Sequence, residues 1–324
     1  MTEHFENIKS TSLPNSEVEI SGSLTVEFLN ECRKDALKAL NERSELPGFR
    51  KGFVPEDVLV KRLGEMSILE ETAEVALGKE YKNILKEAEK EKKLETIGRP
   101  QISITKMVPG SPLEFKIKVT LLPEFALPDY KTIALSAMKQ PEDSEVTPKE
   151  VEDVLRELTK RDIKPDLKEG ETLEGRVREN LEGEKNFRAK EKNRILMMEE
   201  LVKVTDIEVP ELLITSELEK MMGQFKDDVA RFGKKFDEYL KEIKKTEEEI
   251  KKEWRENAIK RVKGELIVSK IAETEKIEPS EDDLEKETKH LLSHYPDAEP
   301  LRARVYVYEM LRNQKVLEFL ESLK

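Results

Sequence analysis

From Thr147 to its end the chain carries helix signals and no strand pattern, and this constrains its architecture more than any other feature. In the stretch 246–275, Ile259, Val262, Leu266, Ile267 and Ile271 recur at helical spacing, and Pro279-Ser280 closes the segment with a fresh cap. The same reasoning predicts helices at about 148–161, 211–232, 236–243, 280–294 and 300–322. Composition agrees. Charged residues make up 40% and hydrophobic ones 37%, with 11 Phe, 6 Tyr and 1 Trp. That balance suits long amphipathic helices with a large surface and does not suit one thick core.

The first 124 residues read differently. Val18, Ile20, Leu24, Val26 and Phe28 alternate with polar neighbours, the pattern of a half-buried strand. Asn30 offers a cap for a helix to about Arg43. After a Gly/Pro-bounded loop, Pro55 suits the first position of a short helix and Gly64 its stop. Ser67 and Glu70 have capping-box spacing ahead of Leu69, Ala73, Ala76, Ile84 and Ala88 at core-facing intervals. Ile102 and Ile104, then Leu113 through Leu121, alternate as two strands joined through Pro109-Gly110. The expected fold class is α+β: a small N-terminal three-stranded sheet with a helical hairpin over 1–124, an extended linker over 125–146, and an elongated all-α domain over 147–324.

The chain offers little catalytic chemistry. Its net charge of −12 argues against sequence-wide affinity for nucleic acid, although 48–62 is locally positive through Arg50, Lys51, Lys61 and Arg62. Cys32 is the only cysteine and is expected to be a buried, inert thiol. Gly170 and Gly175 have phosphate-loop spacing, but Arg176-Val177 replaces the Lys-Ser/Thr pair that grips phosphate and Mg²⁺. His290 and His294 share a helical face and could hold a metal, yet no third ligand is at hand. No catalytic residue, metal or cofactor is expected. A secretory start is lacking and no run approaches the ~20 apolar residues that cross a bilayer, so no membrane partner and a cytoplasmic location are expected.

Residues 48–55, Gly-Phe-Arg-Lys-Gly-Phe-Val-Pro, place a ring, a guanidinium and an ammonium between two glycines that let the backbone turn. Held at a loop tip, these groups suit an anionic, partly apolar surface. The run resembles the G-F-R-x-G-x-x-P signature of bacterial trigger factor, with Gly48, Phe49, Arg50, Gly52 and Pro55 in the defining positions and Lys51 as a second cation. Residues 172–210, beginning TLEGRVRENLEG, are similar to the start of that family's C-terminal chaperone domain.

The resemblance implies an ATP-independent chaperone that docks at the ribosomal exit tunnel through Gly48, Phe49, Arg50, Lys51 and Gly52. Its implied partners are a large-subunit protein and rRNA near the tunnel, and unfolded or nascent chains; a homodimer off the ribosome is also expected. The family's prolyl isomerase insertion is expected to be absent near 162–171, where so few residues cannot make a domain. Two alternatives stay open: isomerase activity as in full-length members, and a periplasmic SurA-like helical holdase. Met197, Met198, Met221 and Met222 form two pairs, of which one member each is expected to face the core and the other a client surface.

Overall fold

The structure, a computed structural model, describes residues 4–45, 49–90, 94–138, 145–161 and 172–323. Among these, chain order runs β1 (Phe5–Leu13), β2 (Glu17–Leu24), α1 (Val26–Arg43), α2 (Glu56–Leu63), α3 (Glu65–Ala88), β3 (Thr96–Lys106) and β4 (Leu113–Leu121). Then come α4 (Tyr130–Met138), α5 (Pro148–Lys160), α6 (Leu173–Val204), α7 (Glu211–Arg231), α8 (Phe236–Ile243), α9 (Glu247–Glu275), α10 (Glu281–His294) and α11 (Pro300–Ser322). The chain divides into two units: residues 1–124 with 208–227, and residues 125–207 with 228–324.

The first unit holds one antiparallel sheet of four strands in the order β1-β2-β4-β3, not three. The additional strand, β1, hides from pattern reading because a bulge between Glu6 and Lys9, with Asn7 at φ 56°, breaks its alternation. It packs closely all the same, since a Cβ on Gly22 of β2 would run into the Ile8 side chain and the Phe115 ring. Val18, Ile20, Leu24, Phe115, Ile117 and Val119 line the inner face of the sheet, and Phe28, Leu29 and Cys32 of α1 and Ala73, Ala76, Leu77 and Ile84 of α3 cover it. Burial raises the Cys32 thiol's pKa, as an inert core cysteine requires. At the far edge, Ile102 and Ile104 of β3 pair with Ile117 and Phe115 but lie beyond the helices, 44% and 40% exposed.

Three boundaries differ from expectation. Val26 and Phe28 belong to α1 and not to the preceding strand. The Thr25 hydroxyl accepts from the Phe28 N–H and starts the helix there, five residues ahead of Asn30. Pro55 is the cap of α2, one position before its first helical residue, and Gly64 both ends α2 and caps α3, so Ser67-Glu70 forms no capping box. The 125–146 linker contains α4, whose Asp129 side chain accepts from the Thr132 N–H and hydroxyl. Tyr130, Ala134 and Ala137 of that helix are buried, a short i, i+4, i+7 stripe.

The second unit is all helix among its described residues. Capping boxes at Thr147/Glu150 and Thr246/Glu249 and the Ser280 cap start α5, α9 and α10 where the sequence places them. At 1.5 Å per residue, the 32-residue α6 is about 48 Å long. It packs on α4, α5 and α9, while α11 packs on α4, α9 and α10. Glu321 of α11, its side chain largely covered, ties back to Arg194 and Lys190 of α6. Tyr130 of α4 hydrogen-bonds Glu275 of α9 at 2.5 Å; burial and that carboxylate push its phenol up to about 12. The α7 residues up to 227 group with the first unit. There the Asn15 N–H donates to Glu208 at 3.0 Å, and the Leu212 side chain fills the space over Gly98 of β3. The expected loss of an insertion near 162–171 falls outside the described residues.

Candidate functional site

The loop between α1 and α2 is held from beneath by a small core of its own. Leu37, Val54, Leu59 and Ile68 are buried there, with Leu40, Val58 and Leu63 packed around them. Asn41, in the last turns of α1, grips the loop's exit. Its Nδ2 donates to the Val54 carbonyl at 2.7 Å, and its Oδ1 accepts from the Val54 N–H at 3.1 Å. A side-chain amide thus pairs with one residue's backbone as a neighbouring strand would. The Gly52 N–H donates to the Asn41 carbonyl at 3.2 Å, and the Phe53 N–H to the Arg50 carbonyl at 3.0 Å, closing a turn. Gly52 sits at φ 84°, where a side chain would be strained.

Backbone alternation through this clamp sorts the side chains. Val54 points into the small core, 4% exposed, and Phe53 points out, 69% exposed. Phe49 is 41% exposed, and Arg50 and Lys51 are exposed beside it. The Arg50 guanidinium lies 5.3 Å from the centre of the Phe53 ring, a cation–π contact that aligns charge and ring without burying either. Lys51 approaches Glu45 at 3.9 Å with both groups in water, a weak tie. Of the residues singled out from sequence, Phe49, Arg50, Lys51 and Gly52 are brought together at this tip, and Gly48 lies outside the described residues. Phe53 and Asn41 were missed. Phe53 carried a signal, an aromatic between Gly52 and Val54; Asn41 carried none, because its partner stands 13 positions away.

The tip offers two rings, a guanidinium and an ammonium on a braced turn. Such a surface can bind, filling an apolar hollow while its cations meet phosphates or carboxylates. Among the described residues, no group of three or more His, Cys, Asp or Glu could hold a metal, and no helix is long and apolar enough to cross a membrane.

The methionine pairs split by burial. Met197 and Met222 are 1% and 3% exposed, whereas Met198 and Met221 are half-buried. The Met198 methyl lies over Gly264 of α9, and Met221 and Met222 fall in the 208–227 segment that groups with the first unit. The large apolar side chains left open in the second unit are others, among them Phe187 and Ile195 of α6 and Leu301, Val305, Tyr306 and Met310 of α11.

Two family models meet this chain. One, described as bacterial trigger factor protein, matches residues 6–158; the other, the C-terminus of the same protein, matches residues 171–322. The chain belongs to the bacterial trigger factor family. A trigger factor of Caldicellulosiruptor bescii is 23% identical, the alignment covering 96% of this chain and 94% of the relative. One of Caldicellulosiruptor saccharolyticus is also 23% identical, over 85% of this chain and 87% of its own. A trigger factor of Streptomyces coelicolor reaches 35% identity over 43% of this chain and 29% of its own. The C. bescii alignment runs over 425 positions against 324 residues here, so that trigger factor carries sequence without a counterpart in this chain. A solved structure titled for promiscuous substrate recognition by the trigger factor chaperone shares the fold, with a TM-score of 0.56 and 17% identity over 98% of this chain and all of that one.

Proposed function

We propose that this chain is an ATP-independent chaperone that docks on the ribosome through the tip 49–53 and shelters apolar segments of nascent chains near the exit tunnel, in the cytoplasm. The observation that carries the reading is the braced tip itself. Phe49, Arg50, Lys51 and Phe53 stand out on a turn whose next residue is fixed by both arms of the Asn41 amide. A docking element held in shape before contact loses less entropy on binding than a floppy one. Arg50 and Lys51 would meet rRNA phosphates or the carboxylates of a large-subunit protein, and the rings an apolar hollow between them. Clients would be met by the open apolar side chains of the second unit and by Met198 and Met221, through weak contacts that release without nucleotide. Co-sedimentation with ribosomes tests the docking. Phe49→Ala/Arg50→Ala/Lys51→Ala should abolish it and leave the fold intact, since exposed loop changes cost within ~0.5 kcal/mol. Wild-type co-sedimentation by the triple variant would discard the assignment.

A further inference from the structure

α10 ends on two histidines whose rings converge. His290 and His294 are both exposed on the last turns of the helix, with ring planes at 78° and centroids 4.8 Å apart. Their Nε2 atoms approach to 3.3 Å. Two nitrogens bound to one tetrahedral dication at ~2.0–2.1 Å stand ~3.3–3.4 Å apart, because the tetrahedral angle fixes the third side of that triangle. The pair therefore already has the bite of a chelate. Without a metal the same separation accommodates one N–H···N hydrogen bond, and a cation would take the place of the shared proton.

The helix end favours positive charge. The C-terminal end of a helix carries the negative pole of its macrodipole, and both imidazoles project from that end of a 14-residue helix. Lys289, the cation next in sequence, is drawn away to Glu285 at 2.7 Å. No third protein ligand completes the set among the described residues, so water would fill the remaining positions. Such a site is open and exchangeable, unlike a closed structural zinc site. Imidazole pairs select borderline transition metals, while Mg²⁺ and Ca²⁺ take oxygen ligands.

We propose that His290 and His294 form a two-ligand, water-completed site for a transition-metal dication such as Zn²⁺ or Ni²⁺ at the C-terminus of α10. Occupation would clamp the last turn ahead of the connection to α11, the helix that bears Leu301, Val305 and Tyr306 in the open. The third histidine, His4, does not compete, being stacked on Phe28 and paired with Glu80 at 2.9 Å. The untagged full chain should be retained on immobilised Ni²⁺ and should bind Zn²⁺ in a titration that excess Mg²⁺ leaves unchanged. His290→Ala and His294→Ala should each weaken Zn²⁺ binding by at least about tenfold, because the second nitrogen binds intramolecularly. Circular dichroism of each variant checks that these exposed changes keep the helix. Equal Zn²⁺ affinity in wild type and the His290→Ala/His294→Ala double variant overturns the proposal, as does loss of wild-type binding to Mg²⁺.

Discussion

Replacing Asn41 by alanine tests whether the proposed docking tip owes its shape to one side chain outside it. The substitution removes two hydrogen bonds, 2.7 and 3.1 Å long, between the amide and the Val54 backbone. Each partly buried bond contributes ~1 kcal/mol, and the freed Val54 groups can regain water only by opening the loop, so about 2 kcal/mol is at stake. The Val54 side chain still anchors in its small core, which retains part of the geometry. A tip that spends most of its time out of the binding shape has its affinity reduced by the fraction that remains competent. Ribosome affinity is therefore expected to fall about tenfold, with ~30-fold the ceiling if the whole 2 kcal/mol is felt. Asn41→Asp keeps the acceptor for the Val54 N–H but sets a carboxylate oxygen against the Val54 carbonyl, and should bind no better than Asn41→Ala. Amide exchange at Val54 reads the clamp directly, and quantitative co-sedimentation reads its consequence. If Asn41→Ala binds ribosomes as tightly as wild type while Val54 exchanges faster, the clamp is not what readies the tip.

Three further outcomes are expected. Hydrogen bonds from the Thr147 backbone, Lys185 and the Thr147 hydroxyl hold the Glu150 carboxyl down to about 2, so its contribution is present above the ordinary carboxylate range and lost as pH falls from about 5 toward 2; Glu150→Gln should destabilise α5 at pH 7, and the gap to wild type in melting curves should close near pH 2. Gly22→Val should cost ~1–3 kcal/mol by overpacking against Ile8 and Phe115, read as a lower melting temperature, and an unchanged melt would show that β1 does not pack where we place it. In a tetrapeptide assay the chain should not speed prolyl isomerisation, and acceleration in proportion to protein concentration would reveal an isomerase site.

Helices α5, α9 and α10 of the second unit were legible because their caps are local: Thr147, Thr246 and Ser280 each mark a start within three residues of the group they bond. Errors arose where a local pattern had two readings. Val26 and Phe28 continue the alternation of β2, and only the Thr25 hydroxyl turns the chain into a helix. β1 has few apolar residues and a bulge at Asn7, while α4 is apolar over most of its nine residues and so shows no clear helical period; its Tyr130, Ala134 and Ala137 are buried only through the fold. At the candidate site the chemistry could be read, since Phe49, Arg50 and Lys51 are adjacent. The support could not, because Asn41 and Val54 meet only through the fold.

The grouping of residues 208–227 with the first unit sets an order on how this chain can be made. Asn15 and Glu208, which share a hydrogen bond, are 193 residues apart in sequence. Closing a flexible loop of that length costs about 5 kcal/mol of chain entropy, which the burial of Ile214, Leu218 and Met222 in that segment helps to offset. The segment can settle on β3 only after 125–207 has been made. During synthesis, residues 4–124 would therefore gather around their own core first, with Gly98 still uncovered by Leu212. The sheet comes first, and its closing piece follows only after 125–207 has been made, with α8 to α11 still to come. A member of a chaperone family thus passes through an unfinished stage of its own, and its N-terminal unit is complete only when two thirds of the chain has emerged.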